Sequence, residues 1–287
     1  MVSGFFPINL VQNPSRGRIY LSQKENNKHI YHLTPLAMNS SKYQIGLLKA
    51  IAIPLQAIIL GLCLVSEGVL SQTLPVSQNL INLNSREGEE LLIESEARQD
   101  YMPLSIHFET QDNLAYCGVA SIVMVLNSLS IPAPIAPEFG TYHRFTQKNF
   151  FNAQTERVLP AEVAARQGMT LDQLGQLLAT YPVKVQVYHA SEVTLEEFRN
   201  QAIKNLREPG NFILINYLRK TIGQETGGHI SPLAAYNQQT DRFLILDVSR
   251  YKYPPVWVKA EELWQAMATI DSASGKMRGF VLVASAQ

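Results

Sequence analysis

The sequence predicts an α+β fold in which helices come first and antiparallel strands follow. Apolar residues recur at helical spacing over much of 117–206, interrupted by one strand-like run at 183–189. The last third instead shows short β-branched and aromatic runs separated by polar turns, the mark of antiparallel strands. No segment repeats and none is of low complexity. Helices packed on one antiparallel sheet are the simplest layered solution to that order.

Residues 1–71 read as targeting sequence. Lys42 and Lys49 flank the start of an uncharged run at 50–66, broken only by Pro54 and Gln56, and Val69-Leu70-Ser71 follows. That is a charged segment, an apolar segment and a small-residue cleavage point. Cleavage after Ser71 leaves a domain at 72–287; an uncleaved run is of borderline length for a membrane anchor. Leu62 precedes Cys63, where a lipoprotein signal wants a small residue. Residues 1–37 are polar without a period, and a start at Met38 gives a signal of ordinary length. The expected location is exported, either periplasmic or anchored facing the periplasm.

Within 72–287 the elements follow in order. Residues 84–100 are polar and acidic, which suits a capped surface helix. Cys117 to Leu129 carries Val119, Ile122, Val123, Val125 and Leu126, an apolar face wide enough for a central buried helix. Three prolines between Ile131 and Pro137 stop it. Phe145 to Phe151 resembles a short helix, and Leu159 to Thr180 holds two more, divided at Gly168. Val183 to His189 alternates as a strand, and Leu195 to Leu206 returns to helical spacing. Asn211 to Leu218, His229 to Tyr236, Arg242 to Val248 and Gly279 to Ala284 are strands. The polar run 237–241 is the turn between the middle two.

Composition narrows the function. The 287 residues hold 24 basic and 24 acidic side chains, a formal net charge of zero with no long run of either sign. That excludes the footprint of a nucleic-acid binder or a polybasic membrane patch. With two cysteines in all, a disulfide framework and a cysteine-rich metal site are excluded too.

One of those cysteines is the informative residue. Cys117 opens the central helix in the run Gln111-Asp-Asn-Leu-Ala-Tyr-Cys117. A thiol at a helix N-terminus feels the positive end of the dipole, which favours the thiolate. Gln111 supplies an amide that can donate to an oxyanion. The plain alternative is a small buried core cysteine. A base for the thiol comes from the expected hairpin. A turn centred on Gln238 places His229 opposite Asp247, with Cβ atoms about 5 Å apart. Asp247 then holds the imidazole in one tautomer and leaves its other nitrogen for the thiol. Gly227 and Gly228 leave room beside His229. The alternative is a surface histidine paired with a turn-side aspartate. His107 and His143 fall in loops, His189 ends a strand, and none has an acidic partner at a readable spacing.

The segments 111–129, 227–236 and Ile245-Leu-Asp-Val-Ser-Arg-Tyr-Lys-Tyr-Pro-Pro255 resemble the phytochelatin synthase catalytic domain, most closely its short cyanobacterial form. The resemblance covers essentially all of 72–287. It implies a papain-like cysteine peptidase fold, with an N-terminal helical lobe and a C-terminal sheet lobe. Cys117 would be the nucleophile, His229 the general base and acid, and Asp247 the orienter. Gln111 would complete the oxyanion hole with the Cys117 backbone N–H. The implied substrate is glutathione, cleaved to a γ-glutamylcysteinyl thioester that passes to water or to a second glutathione. Arg278 matches the position that anchors a substrate carboxylate, while Asn216, Asp271 and Tyr251 are weaker carry-overs. No cofactor is required; a heavy metal such as cadmium enters as stimulator or as a metal–glutathione substrate. The family suggests a homodimer. Plant members carry a cysteine-rich C-terminal extension, whereas this sequence stops at Gln287, so hydrolysis is expected to dominate chain lengthening. A double-glycine leader peptidase and a catalytically idle thiol- or metal-binding module are the other two readings.

Overall fold

The sheet begins and ends the described chain. The structure, a computed structural model, describes residues 73–286 apart from Thr226. The expected signal segment, Met38, Cys63 and the Ser71 cleavage point lie outside the described residues. Among the described residues there are seven strands: β1 (Ile81–Asn82), β2 (Val183–His189), β3 (Asn211–Leu218), β4 (Gly228–Asn237), β5 (Arg242–Ile245), β6 (Val256–Lys259) and β7 (Gly279–Ser285). They form one antiparallel sheet in the order β1-β6-β5-β4-β3-β7-β2.

The helices are α1 (Arg86–Glu94), α2 (Tyr101–Ile106), α3 (Cys117–Ser128), α4 (Thr155–Val158), α5 (Ala161–Gln167), α6 (Leu171–Leu178), α7 (Leu195–Arg207) and α8 (Ala260–Met267). They cover both faces of the sheet. Phe212 and Leu214 of β3 join α3 and α6 in one apolar cluster, whereas Ile213, Ile215 and Tyr217 join α7 and α8 in another. Successive side chains of a strand point to opposite faces. That is why β3 reads as a nearly continuous apolar run, interrupted at Asn216, instead of an alternating one. The sheet is therefore not confined to a C-terminal lobe: β2 is its edge, and two later helices close its second face. Among the described residues no helix is long and apolar enough to cross a membrane.

α3 is buried from Gly118 to Leu126 on all sides, as a helix apolar all round must be. α5 ends at Gly168, whose φ of 72° is a positive value that glycine adopts without a Cβ penalty. Thr170 and Gln173 form a reciprocal capping box that starts α6 three residues later.

Two sequence expectations are corrected. Phe145–Phe151 is a turn and not a helix. The Asn149 side chain accepts from Thr146 N–H at 2.8 Å and donates to the Arg144 carbonyl at 2.9 Å. Such local side-chain bonds offer the backbone an alternative to the helical ladder. The β4–β5 register also differs. Asn237 pairs with Arg242, Tyr236 with Phe243 and Ala235 with Leu244, and a bulge then sets Leu233 against Ile245. The turn is longer than a symmetric one because Asn237 Oδ1 accepts from Thr240 N–H (3.1 Å) and Oγ1 (2.9 Å), and Asp241 takes φ 50°. β5 stops at Ile245, so Asp247 lies beyond the ladder.

Candidate active site

His229 and Asp247 meet even though they are not a rung of the ladder. His229 Nε2 lies 2.9 Å from Asp247 Oδ1, with both residues buried. The bulge at Ala234 and the loop after β5 bring the carboxylate to the imidazole. With Nε2 so engaged, Nδ1 is left for Cys117, whose thiol hydrogen-bonds to His229.

The position of Cys117 follows from α3. It is the first helical residue and half-buried. One turn on, buried Ser121 donates to the Cys117 carbonyl at 2.7 Å, and its hydroxyl also lies 3.3 Å from the Ile230 carbonyl on β4. That hydroxyl links the nucleophile's helix to the residue after His229. Burial raises the thiol pKa. The His229 hydrogen bond and charge, with the N–H groups of Ile230 and Gly118, outweigh burial and hold it below the ordinary value. On His229, burial is the largest effect and acts downward, joined by the Arg219 charge, but the charge and hydrogen bond of Asp247 together with the Cys117 bond outweigh them and leave its pKa raised. Burial raises Asp247, and the charges and bonds of His229 and then Arg219 overcome this and depress it strongly. The shifts favour a thiolate–imidazolium pair.

Arg219 was not legible in the sequence. It follows β3, is buried, and places Nη2 2.8 Å from Asp247 Oδ1 and Nη1 2.7 Å from Oδ2. Its guanidinium lies 5.2 Å from the Tyr253 ring centroid, within cation–π range. Ser249, also unforeseen, donates its N–H to Asp247 Oδ1 at 2.8 Å and its hydroxyl to Gln111 Oε1 at 2.6 Å. Gln111 is buried, with its Nε2 donating to the Asn113 carbonyl at 2.6 Å. The backbone N–H of Gln111 bonds the Val248 carbonyl at 3.0 Å. One amide hydrogen of Gln111 is left over, and the N–H of Cys117 has no acceptor within its helix.

Cys117 and His229 open on a cavity of about 470 Å³ that Asn216, Asp271 and Arg278 also line. This is within the usual range for ligand pockets. Arg278 Nη1 donates to Asn216 Oδ1 at 2.9 Å, and Nη2 lies 3.5 Å from Asp271 Oδ1. Its Nε is buried without a partner among the described residues. The anchor is close-packed: a Cβ on Gly228 would sit 2.6 Å from Arg278 Nη1. Gln111 and Tyr251 do not line this cavity, and Tyr251 is 45% exposed. Of the Ser249–Pro255 run, it is Tyr253 and Ser249 that reach the triad's partners. The signal for Arg219 was only its place three residues after Asn216, since nothing in the sequence announces a buried arginine.

His189 has no acidic partner at a readable spacing, as expected. It does have one distant in sequence: its Nε2 lies 2.9 Å from Asp172 Oδ1. The two residues come from different elements, so no local spacing reveals them. Among the described residues no group of three or more His, Cys, Asp or Glu is placed to hold a metal ion.

A family model described as phytochelatin synthase matches residues 71–280. Glutathione gamma-glutamylcysteinyltransferase 1 of Arabidopsis thaliana is 35% identical over 208 residues, covering 71% of this chain and 41% of the relative. Glutathione gamma-glutamylcysteinyltransferase 3 of Lotus japonicus is 32% identical over 221 residues, covering 76% and 45%. The enzyme of that name in Schizosaccharomyces pombe is 28% identical over 185 residues, covering 64% and 43%. The chain spans less than half the length of these relatives.

Proposed function

The chain belongs to the phytochelatin synthase family, and on that premise we propose that it is a glutathione acyltransferase working through a thioester on Cys117. The reading includes a papain-like arrangement of the nucleophile's helix against the sheet. One observation carries it: a single cavity holds both the Cys117–His229 pair and the Arg278 anchor.

Glutathione presents an α-amino acid at its γ-glutamyl end. In the proposed pose that carboxylate takes the Arg278 fork, which suits bidentate recognition, and the ammonium faces Asp271. The Cys117 thiolate attacks the carbonyl carbon of the Cys–Gly amide. Negative charge develops on the carbonyl oxygen, where the Cys117 N–H and the remaining amide hydrogen of Gln111 serve as donors. The C–N bond breaks as the His229 imidazolium gives its proton to the departing glycine amine. His229, now neutral, deprotonates a water or the amine of a second glutathione, which takes the γ-glutamylcysteinyl group and frees the thiol. Asp247 keeps the imidazole oriented throughout. Water is the expected main acceptor, because among the described residues Arg278 is the only buried arginine lining the cavity, Arg166 there being exposed. Metal enters no step of this route; cadmium is proposed only as a stimulator or as part of a metal–glutathione substrate.

The test is product analysis of the full chain with reduced glutathione, with and without cadmium, beside Cys117→Ala. Glycine and γ-glutamylcysteine from the wild type alone support the reading. Lengthened (γ-Glu-Cys)n-Gly as the main product overturns the hydrolytic preference. Absence of Cys117-dependent turnover sinks the glutathione assignment.

A further inference from the structure

Behind the substrate cavity sits a second cluster of titratable groups that the chemistry above does not use. His189, at the end of β2, is 6% exposed. Its Nδ1 lies 2.6 Å from the Met277 carbonyl and its Nε2 lies 2.9 Å from Asp172 Oδ1. The other Asp172 oxygen accepts from Lys276 Nζ at 2.8 Å. The Lys276 bond, against burial and with help from His189, holds the Asp172 carboxyl below its ordinary value, so it has no proton to donate. A carbonyl has none either. Both ring nitrogens therefore face acceptors, and both bonds form only when both nitrogens carry hydrogen.

The two acceptors belong to two separate chain segments that line the cavity. Asp172 sits in the first turn of α6, between Thr170 and Gln173, which line it. Met277 precedes Arg278 in the segment that also carries Asp271. The Ala190 N–H bonds the Arg278 carbonyl at 2.8 Å, so the same corner of β2 grips this segment twice. Asp172, Lys276, Glu192 and Arg278 are the charged groups around the imidazole; Glu192 Oε2 accepts the His189 backbone N–H at 2.9 Å.

We propose that His189 is a positioning residue for substrate binding: as a doubly protonated bridge it fastens the 271–278 segment to α6 and so fixes the Arg278 anchor. This deepens the acyltransferase reading and rests on Arg278 being the carboxylate anchor. An imidazole with a single ring hydrogen makes only one of the two bonds. The two segments then uncouple, and affinity falls while the Cys117–His229 chemistry continues.

Full-length wild type, His189→Gln and Asp172→Asn are compared for glutathione turnover across pH 5.5–9. The expected result is a KM raised about tenfold in both variants, in keeping with the loss of a charge-assisted bond, with kcat within about twofold. Alkylation of Cys117 by iodoacetamide should proceed at the wild-type rate in both, which shows that the fold and the nucleophile are intact. Hydrogen exchange provides a substrate-free arm: amides of 269–278 should exchange faster in His189→Gln. If the wild type fails to turn over glutathione, the acyltransferase reading fails, and faster exchange still supports the bridge. Unchanged KM, a fall in kcat alone, or unchanged exchange overturns it.

Discussion

At Asp247 one oxygen accepts from three donors: Arg219 Nη2, His229 Nε2 and the Ser249 N–H, at 2.8, 2.9 and 2.8 Å. Arg219 and His229 compete for the same negative charge, and Arg219 acts to lower the pKa that Asp247 raises on His229. The arginine therefore fixes the carboxylate while tempering its effect on the base. Arg219→Lys keeps the charge and loses the fork, and should lower kcat/KM about tenfold with the fold retained, as steady-state kinetics and circular dichroism would show. Removing the charge with Arg219→Met leaves a buried carboxylate with less compensation. Urea denaturation should then read a loss of about 3–5 kcal/mol. Asp100 behaves in the opposite sense. Burial pushes its carboxyl up to about 9, and Oδ2 has no partner. The folded state keeps the proton that the unfolded chain has lost, so this group costs stability as pH rises from about 4 towards 9, by about 1.4 kcal/mol per unit. Asp100→Asn should match the wild type at pH 4 and exceed it at pH 8 by about 5 kcal/mol, measured by urea denaturation at both pH values.

Among the elements, α3 and β4 do most to assemble the site, and small residues decide how they meet. Ser121 ties the helix to Ile230, and Gly118 lets Met169 approach, since a Cβ there would sit 2.4 Å from its sulfur. Gly228 does the same for Arg278 at the start of β4. Gly228→Ala should therefore displace the guanidinium from Asn216. The expected outcome is a KM for glutathione about tenfold higher with an unchanged rate of Cys117 alkylation. A fall in alkylation instead would show that the substitution had moved His229. Tyr217 packs its ring edge-to-face on His229 at 5.7 Å across the β3–β4 pair, which keeps water from one side of the imidazole.

For the molecule as a whole, the helix layers on both sheet faces leave the site at the end of α3, where thiol, imidazole and carboxylate come from separate stretches of chain. Its pH behaviour follows from the shifts. The thiol ionises below its ordinary value and the imidazolium holds its proton above its own. Activity should rise on the first ionisation and fall on the second, giving a bell-shaped profile. Asp247→Asn removes the main charge that holds the imidazolium. The alkaline limb should move to lower pH and kcat/KM should drop about 100-fold, as a pH–rate profile would record.

The sequence alone determined the local elements and the chemical types at the site. β2 and β3 match their expected bounds to the residue, and α3 begins at the cysteine that marked it. Periodicity and turn chemistry act over a few residues, so they are written locally. The meeting of His229 with Asp247 was foreseen from a register the protein does not use; a longer turn and a bulge arrive at the same contact. Arg219, Ser249, Tyr253 and the His189–Asp172 bridge were decided only by tertiary structure. Each depends on a side chain being buried beside another from a distant element, and burial of a polar group is favourable only when the whole fold supplies its partner.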